Sequence, residues 1–253
     1  MCPIFIRIGP LTIHTYGVLV ATGFLVGIIL AVRQAKRQGI PSERIIDLGF
    51  YLLLAAIIGS RLFFVALNAS HYLKHPLDIL KIWEGGLVFY GGLLLALPTA
   101  FWYMHRYRLD TWTVADIFAP SIAIGHAIGR LGCLSAGCCY GRPVEGLLWA
   151  VTFRHPESLA RIGIPLHPVQ LYESIGELAI FLILIMLRKR GPFRGRLFWT
   201  YIMLYSVLRF AVEFFRGDEA RGFILPGISV AQAISVLMIV SAFVAMKRLS
   251  RKA

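Results

Sequence analysis

One stretch of the chain gathers most of its reactive side chains: Gly125-His126-Ala127-Ile128-Gly129-Arg130-Leu131-Gly132-Cys133-Leu134-Ser135-Ala136-Gly137-Cys138-Cys139-Tyr140-Gly141-Arg142-Pro143. It holds five glycines, three of the four cysteines, two arginines and a histidine, directly after an apolar segment. Ionisable groups where a hydrophobic segment runs out mark a functional site by default. A guanidinium makes bidentate hydrogen bonds to phosphate oxygens, and burial strengthens them. Arg130 is therefore expected to meet an anionic ligand. His126 lies four residues earlier, so one helical turn stacks the two. An imidazole near neutrality can take a proton from a thiol or an alcohol. The alternative is a core histidine bonded to a backbone carbonyl. Cys133, Cys138 and Cys139 have the spacing C-x4-C-C, which matches no common zinc or iron–sulfur pattern. They read as small apolar packing, with a disulfide on the oxidising side of a membrane as a second option.

Other polar residues fall inside apolar segments. Arg61 and Arg209 join Arg130 as guanidiniums in or at a membrane, an arrangement suited to a phosphate-bearing lipid; internal ion pairing is the competing account. Glu213 follows Arg209 by four residues and Tyr205 precedes it by four, so the three share one helix face. Gly85-Gly86 and Gly91-Gly92 bracket Tyr90, where paired glycines permit close helix approach. Tyr90 either anchors its helix in the headgroup layer or donates to a substrate oxygen. Pro168 suits a helix start, and beyond it Gln170, Glu173 and Glu177 follow one another at three and four residues, on one polar face. They are expected to form an internal hydrogen-bond network.

Something must hold these groups at depth. Of the 253 residues 58% are hydrophobic, with a mean hydropathy of +0.72. Crossing a bilayer takes ~20 apolar residues, and seven segments qualify: 15–33, 46–67, 86–104, 112–129, 170–188, 196–215 and 228–246. The fourth is interrupted by Asp116. Residues 1–14 lack the features of a cleavable signal, so the first segment is expected to stay. Residues 3–14 alternate in character and predict a short extended arm. The whole, 1–253, is predicted to be a single polytopic all-α domain.

The net charge of +13 lies between apolar segments and not along a soluble stripe, so nucleic acid is excluded as a partner. Fifteen Lys and Arg fall on one side of the seven-segment arrangement and nine on the other. The positive-inside rule puts the fifteen in the cytoplasm, the N-terminus outside and the C-terminus inside. The long loop 130–169 is then extracytoplasmic.

At these residues the chain resembles the prolipoprotein diacylglyceryl transferase family. The resemblance covers nearly its whole length. It runs through Ile13-His14-Thr15-Tyr16-Gly17, Gly59-Ser60-Arg61, Gly85-Gly86-Leu87-Val88-Phe89-Tyr90-Gly91-Gly92-Leu93, Gly129-Arg130-Leu131-Gly132 to Gly141-Arg142-Pro143, His167-Pro168-Val169-Gln170-Leu171-Tyr172-Glu173, and Arg209 to Arg216. It implies a seven-helix enzyme of the bacterial plasma (inner) membrane. That enzyme moves the diacylglyceryl group of phosphatidylglycerol onto the lipobox cysteine of a prolipoprotein, and glycerol phosphate leaves. The family's two essential arginines fall on Arg130 and Arg209, its functional tyrosines on Tyr16 and Tyr205, and a signature glycine on Gly141. Three positions depart. Tyr90 stands where the family has a histidine, Cys133 where it has asparagine, and Cys138 where it has glutamate.

The expected site is therefore His126 as base, with His167 behind it, and Arg130 and Arg209 as a phosphate clamp. Tyr16, Tyr90, Tyr205, Gly141, Arg61 and Glu213 complete the substrate-binding set. No metal or cofactor is expected, because leaving-group charge meets fixed guanidinium. Membrane lipids surround the protein. The rival readings are a relative with another acceptor, and a non-catalytic phospholipid-binding or transport protein.

Overall fold

A computed structural model describes residues 2–9, 11–188, 194–217, 222–225 and 228–251. Lys189, Arg190, Arg221 and Lys252, which entered the topology count, lie outside the described residues. The chain opens on an antiparallel hairpin, β1 (Ile4–Ile8) with β2 (Leu11–His14), the extended arm that its alternation predicts. The helices are α1 (Thr15–Arg37), α2 (Ser42–Leu67), the short α3 (Ala69–Tyr72), α4 (Phe89–Arg106), α5 (Thr111–Ala136), α6 (Val169–Leu187), α7 (Arg196–Glu213) and α8 (Val230–Ser250). Between α5 and α6 lies the pair β3 (Val151–Thr152) and β4 (Pro165–Leu166). Between α7 and α8 lies β5 (Phe223–Leu225) with β6 (Ile228–Ser229).

Each of the seven predicted segments is a long helix among the described residues. Five of them, α1, α2, α5, α6 and α8, are long and apolar enough to cross a membrane. In α7, Arg196, Arg209 and Glu213 break the apolar run, and α4 ends in Trp102, Tyr103, His105 and Arg106. The large apolar side chains left exposed along α1, α2 and α8, such as Leu25, Phe50 and Phe243, are what lipid-facing helices present.

The chain forms two compact units, residues 1–31 with 115–253, and residues 32–114; the divisions fall inside α1 and α5. In the smaller unit α2 packs against α4. Arg61 is buried there, and its guanidinium is spent on backbone. Nε donates to the Ile79 carbonyl at 2.9 Å, Nη1 to Gly85 at 2.7 Å and Gly86 at 3.3 Å, and Nη2 to Asp78 at 2.6 Å and Lys81 at 3.2 Å. One side chain thus organises the non-helical segment 78–86.

In the larger unit α1 and α5 cross closely. A Cβ on Gly23 would lie 2.7 Å from the Gly125 carbonyl oxygen, so only glycine permits this approach. α7 packs against both α6 and α8. Asp116, which interrupts the fourth apolar segment, caps a neighbour. Its carboxylate accepts the backbone N–H of Gly195 at 2.8 Å and of Phe198 at 2.9 Å, meeting donors that the first turn of α7 leaves unpaired. α5 also runs seven residues past the predicted end at 129, to Ala136. The helix carries Arg130 inward because partners on α6 meet its charge.

Candidate active site

Three helices of the larger unit, α5, α6 and α7, supply an ionic network of buried carboxylates and half-buried cationic side chains. α5 carries His126 and Arg130 on one face, α6 carries Glu173 and Glu177, and α7 carries Tyr205, Arg209 and Glu213. Each set recurs at the four-residue spacing that stacks side chains on a helix. Glu173 is the hub. Its Oε2 lies 2.5 Å from Arg130 Nε, and its Oε1 accepts from Arg209 Nη1 at 3.5 Å. Arg209 Nη1 also lies 2.7 Å from Glu213 Oε2. The two guanidiniums therefore meet at one carboxylate. Glu173 and Glu213 are both 3% exposed, and their arginine partners offset the cost of taking carboxylates out of water.

A second carboxylate addresses the imidazole. Glu177 is fully buried, and its Oε1 lies 2.6 Å from His126 Nδ1. With Nδ1 facing a carboxylate, the ring's proton belongs on Nδ1 and its lone pair on Nε2. That lone pair accepts from Arg130 Nε at 3.1 Å. The Tyr205 ring packs on the imidazole with centroids 5.5 Å apart, and Tyr201 stacks on Tyr205 at 5.9 Å.

Tyr16, at the start of α1, packs against the end of α5. A Cβ on Gly132 would be 3.3 Å from the Tyr16 ring. The end of α5 is tied down from α6: Gln170 Nε2 donates to the Cys138 carbonyl at 2.8 Å, and Ser174 Oγ to the Ala127 carbonyl at 2.8 Å. Gly141 sits where two segments thread together. Its N–H donates to the His167 carbonyl at 3.1 Å, Arg142 N–H donates to Phe215 at 2.9 Å, and a Cβ at 141 would strike the His167 carbonyl. His167 faces Tyr172, with Nδ1 and the phenol oxygen 3.3 Å apart, and packs on Phe215. Burial, then the nearby Arg142, pushes the His167 imidazole below its ordinary titration range.

Of the residues singled out from sequence, His126, Arg130, Arg209, Tyr205 and Glu213 meet in this network, with Tyr16 and Gly141 bordering the end of α5. Arg61 and Tyr90 belong to the other unit. Arg61 points into backbone carbonyls, and Tyr90 stands at the start of α4, 57% exposed. Glu173 and Glu177 are the residues that sequence reasoning left as mere scaffolding. The signal was present: two carboxylates on one face of an otherwise apolar helix.

Apolar helices of bilayer length around half-buried arginines and an imidazole, paired with buried carboxylates, are the features of a polytopic membrane protein with a polar interior. A family profile described as prolipoprotein diacylglyceryl transferase matches residues 3–248. The chain belongs to the prolipoprotein diacylglyceryl transferase family. It is 37% identical over 245 residues to the phosphatidylglycerol–prolipoprotein diacylglyceryl transferase of Geobacillus kaustophilus, covering 94% of this chain and 88% of that protein. It is 36% identical over 241 residues to the enzyme of the same name from Geobacter sulfurreducens, covering 93% and 90%. With that of Bacillus velezensis it shares 35% over 248 residues, covering 96% and 90%.

Proposed function

We propose that the α5–α6–α7 network is where this transferase moves the diacylglyceryl group of phosphatidylglycerol to the lipobox cysteine of a prolipoprotein. The observation that carries the reading is the shared Glu173, which aims Arg130 and Arg209 at one place. Each guanidinium has five N–H donors, and the contacts described engage Nε and Nη1 of Arg130 and Nη1 of Arg209. Donors remain for phosphate oxygens.

In the reaction the acceptor thiol passes its proton to His126 Nε2, with Glu177 holding Nδ1–H. The thiolate is the nucleophile. It attacks the glyceryl carbon bonded to the phosphate oxygen; the carbon–sulfur bond forms as the carbon–oxygen bond breaks. Glycerol phosphate leaves with the electron pair, and the fixed guanidiniums meet the charge that grows on it. His126 Nε2 first faces Arg130 Nε, so a phosphate that draws the guanidinium toward itself also uncovers the base. Lipid thus binds before the thiol is activated.

Around this site we place seven crossings in a bacterial plasma membrane, with the N-terminus outside and the chemistry near the outer leaflet. Arg61 holds the 78–86 segment in this reading and does not touch lipid. The test is transfer of labelled lipid to a lipobox peptide with simultaneous assay of glycerol phosphate release. Wild-type protein is expected to do both and the Arg130→Ala variant neither. Binding of phosphatidylglycerol without release by the wild type would make the protein a lipid carrier.

A further inference from the structure

The mechanism above leaves three thiols unused. Cys133 lies in the last turn of α5; Cys138 and Cys139 follow in the turn beyond it. Their three Sγ atoms lie within 4.8 Å of one another, and all three residues are half-buried. No linear zinc motif produces this; the turn does. Gly137 has φ +80° and Cys139, a non-glycine, has φ +56°. The N–H groups of Gly137 and Cys138 both return to the Cys133 carbonyl, at 2.9 and 3.2 Å. A left-handed residue with a side chain is strained, and such strain persists where surroundings over-determine it. Here Gln170 fixes the Cys138 carbonyl from α6.

A cation borders the cluster. Arg130 Nη1 lies 4.0 Å from Cys133 Sγ. Three sulfurs around one ion at ~2.3 Å stand ~4 Å apart in trigonal or tetrahedral geometry. The cluster needs to contract by less than ~1 Å to reach that.

We propose that Cys133, Cys138 and Cys139 form a binding site for one thiophilic cation of the Zn(II)/Cu(I) class, and that its occupancy inhibits transfer. Soft thiolates select such ions. For zinc, three S–H bonds break, three metal–sulfur bonds form, three protons go to solvent and no electron moves. The loaded site carries a net single negative charge. Arg130 is the cation beside it, so an occupied site competes with lipid phosphate for the same guanidinium. The inhibitory half rests on the function proposed above; the binding half does not.

The experiment uses the full-length protein in detergent micelles, reduced and freed of metal. Cobalt(II) is titrated as a spectroscopic probe, zinc is used to displace it, and released protons are counted. One ion per chain, thiolate-to-cobalt absorption and three protons released are expected. Cys133→Ser, Cys138→Ser and Cys139→Ser should each weaken binding ~100-fold or more, since even outer-shell changes weaken metal sites 10–100-fold. Cys2→Ser should leave binding unchanged. Size-exclusion elution checks that each variant is folded. Affinity in the triple-serine variant equal to wild type would overturn the site, as would a disulfide among these thiols in protein isolated from membranes without reductant. The ratio of transfer rates with and without zinc is then read for each protein. Binding without inhibition of an active wild type would overturn the coupling to Arg130. Binding to a wild type with no transfer activity would leave the metal site standing and remove the proposed function instead.

Discussion

Replacing Arg130 with lysine separates charge from geometry. The Arg130 Nε faces Glu173 Oε2 at 2.5 Å and His126 Nε2 at 3.1 Å. Lysine keeps the charge but has no secondary N–H at that point of the chain and no planar fork. Both contacts are lost together. Losing one preorganised donor to a developing oxyanion lowers kcat by ~10²–10³, or ~2.7–4 kcal/mol. Arg130→Lys should fall in that range and Arg130→Ala at or beyond its upper end. The loss should appear in kcat more than in KM, because the interaction strengthens as charge reaches the leaving phosphate. Stability should respond less. Arg209 Nη1 remains 3.5 Å from Glu173 Oε1, so Glu173 keeps one cation. The penalty should then fall below the ~3–5 kcal/mol of orphaning a buried charge. We expect ~2 kcal/mol, or ~4–8 °C in Tm for a chain of this size. Glu173→Gln should interact with Arg130→Ala, the double variant being at least ~10-fold more active than the product of the single losses. The assay is transfer of labelled diacylglyceryl groups to a lipobox peptide in mixed micelles. Arg130→Lys within about threefold of wild type in kcat, or fully multiplicative losses, would refute the shared-carboxylate reasoning.

Glu177→Gln should lower kcat by ~10² with KM little changed, because an amide can turn a donor toward Nδ1 and leave the wrong imidazole tautomer; steady-state kinetics beside His126→Gln check whether the two effects are one. Gly23→Ala should destabilise by ~1–3 kcal/mol through overpacking against the Gly125 carbonyl, while Gly17→Ala, with nothing within 4 Å of its Cβ, should not; thermal unfolding in detergent compares them. Arg61→Met should strip donors from up to five carbonyls, at ~1–3 kcal/mol for each one left buried and unpaired, and hydrogen exchange across 78–86 should speed up. His167 titrates below its ordinary value, so acidification through its ordinary range favours the unfolded state, which takes the proton first; His167→Gln should flatten that part of the stability–pH curve, read from Tm at successive pH values.

The residues that carry charge through the apolar segments were visible in the chain itself. Arg130, Arg209 and Glu213 stand out because a charge in a hydrophobic run must be compensated, and helical spacing puts Arg209 and Glu213 on one face whatever the fold. The seven long helices among the described residues coincide with the seven apolar segments, to within a few residues at their ends except at the end of α5. Helix α5 was cut short because Arg130 looks like the start of a loop until Glu173 is known to sit opposite it. Tertiary structure decided the pairings between helices. Nothing local says that Glu173 lies between two arginines or that Glu177 meets His126, since residues 36 or 51 positions apart are brought together only by packing. The same holds for Arg61, whose partners are backbone carbonyls with no sequence signature, and for the three thiols, which a left-handed turn gathers although their spacing matches no motif. Sequence fixes which groups need partners, because desolvation is a property of the residue and its segment; only the fold chooses the partner, because hydrogen bonds and ion pairs act over a few ångströms.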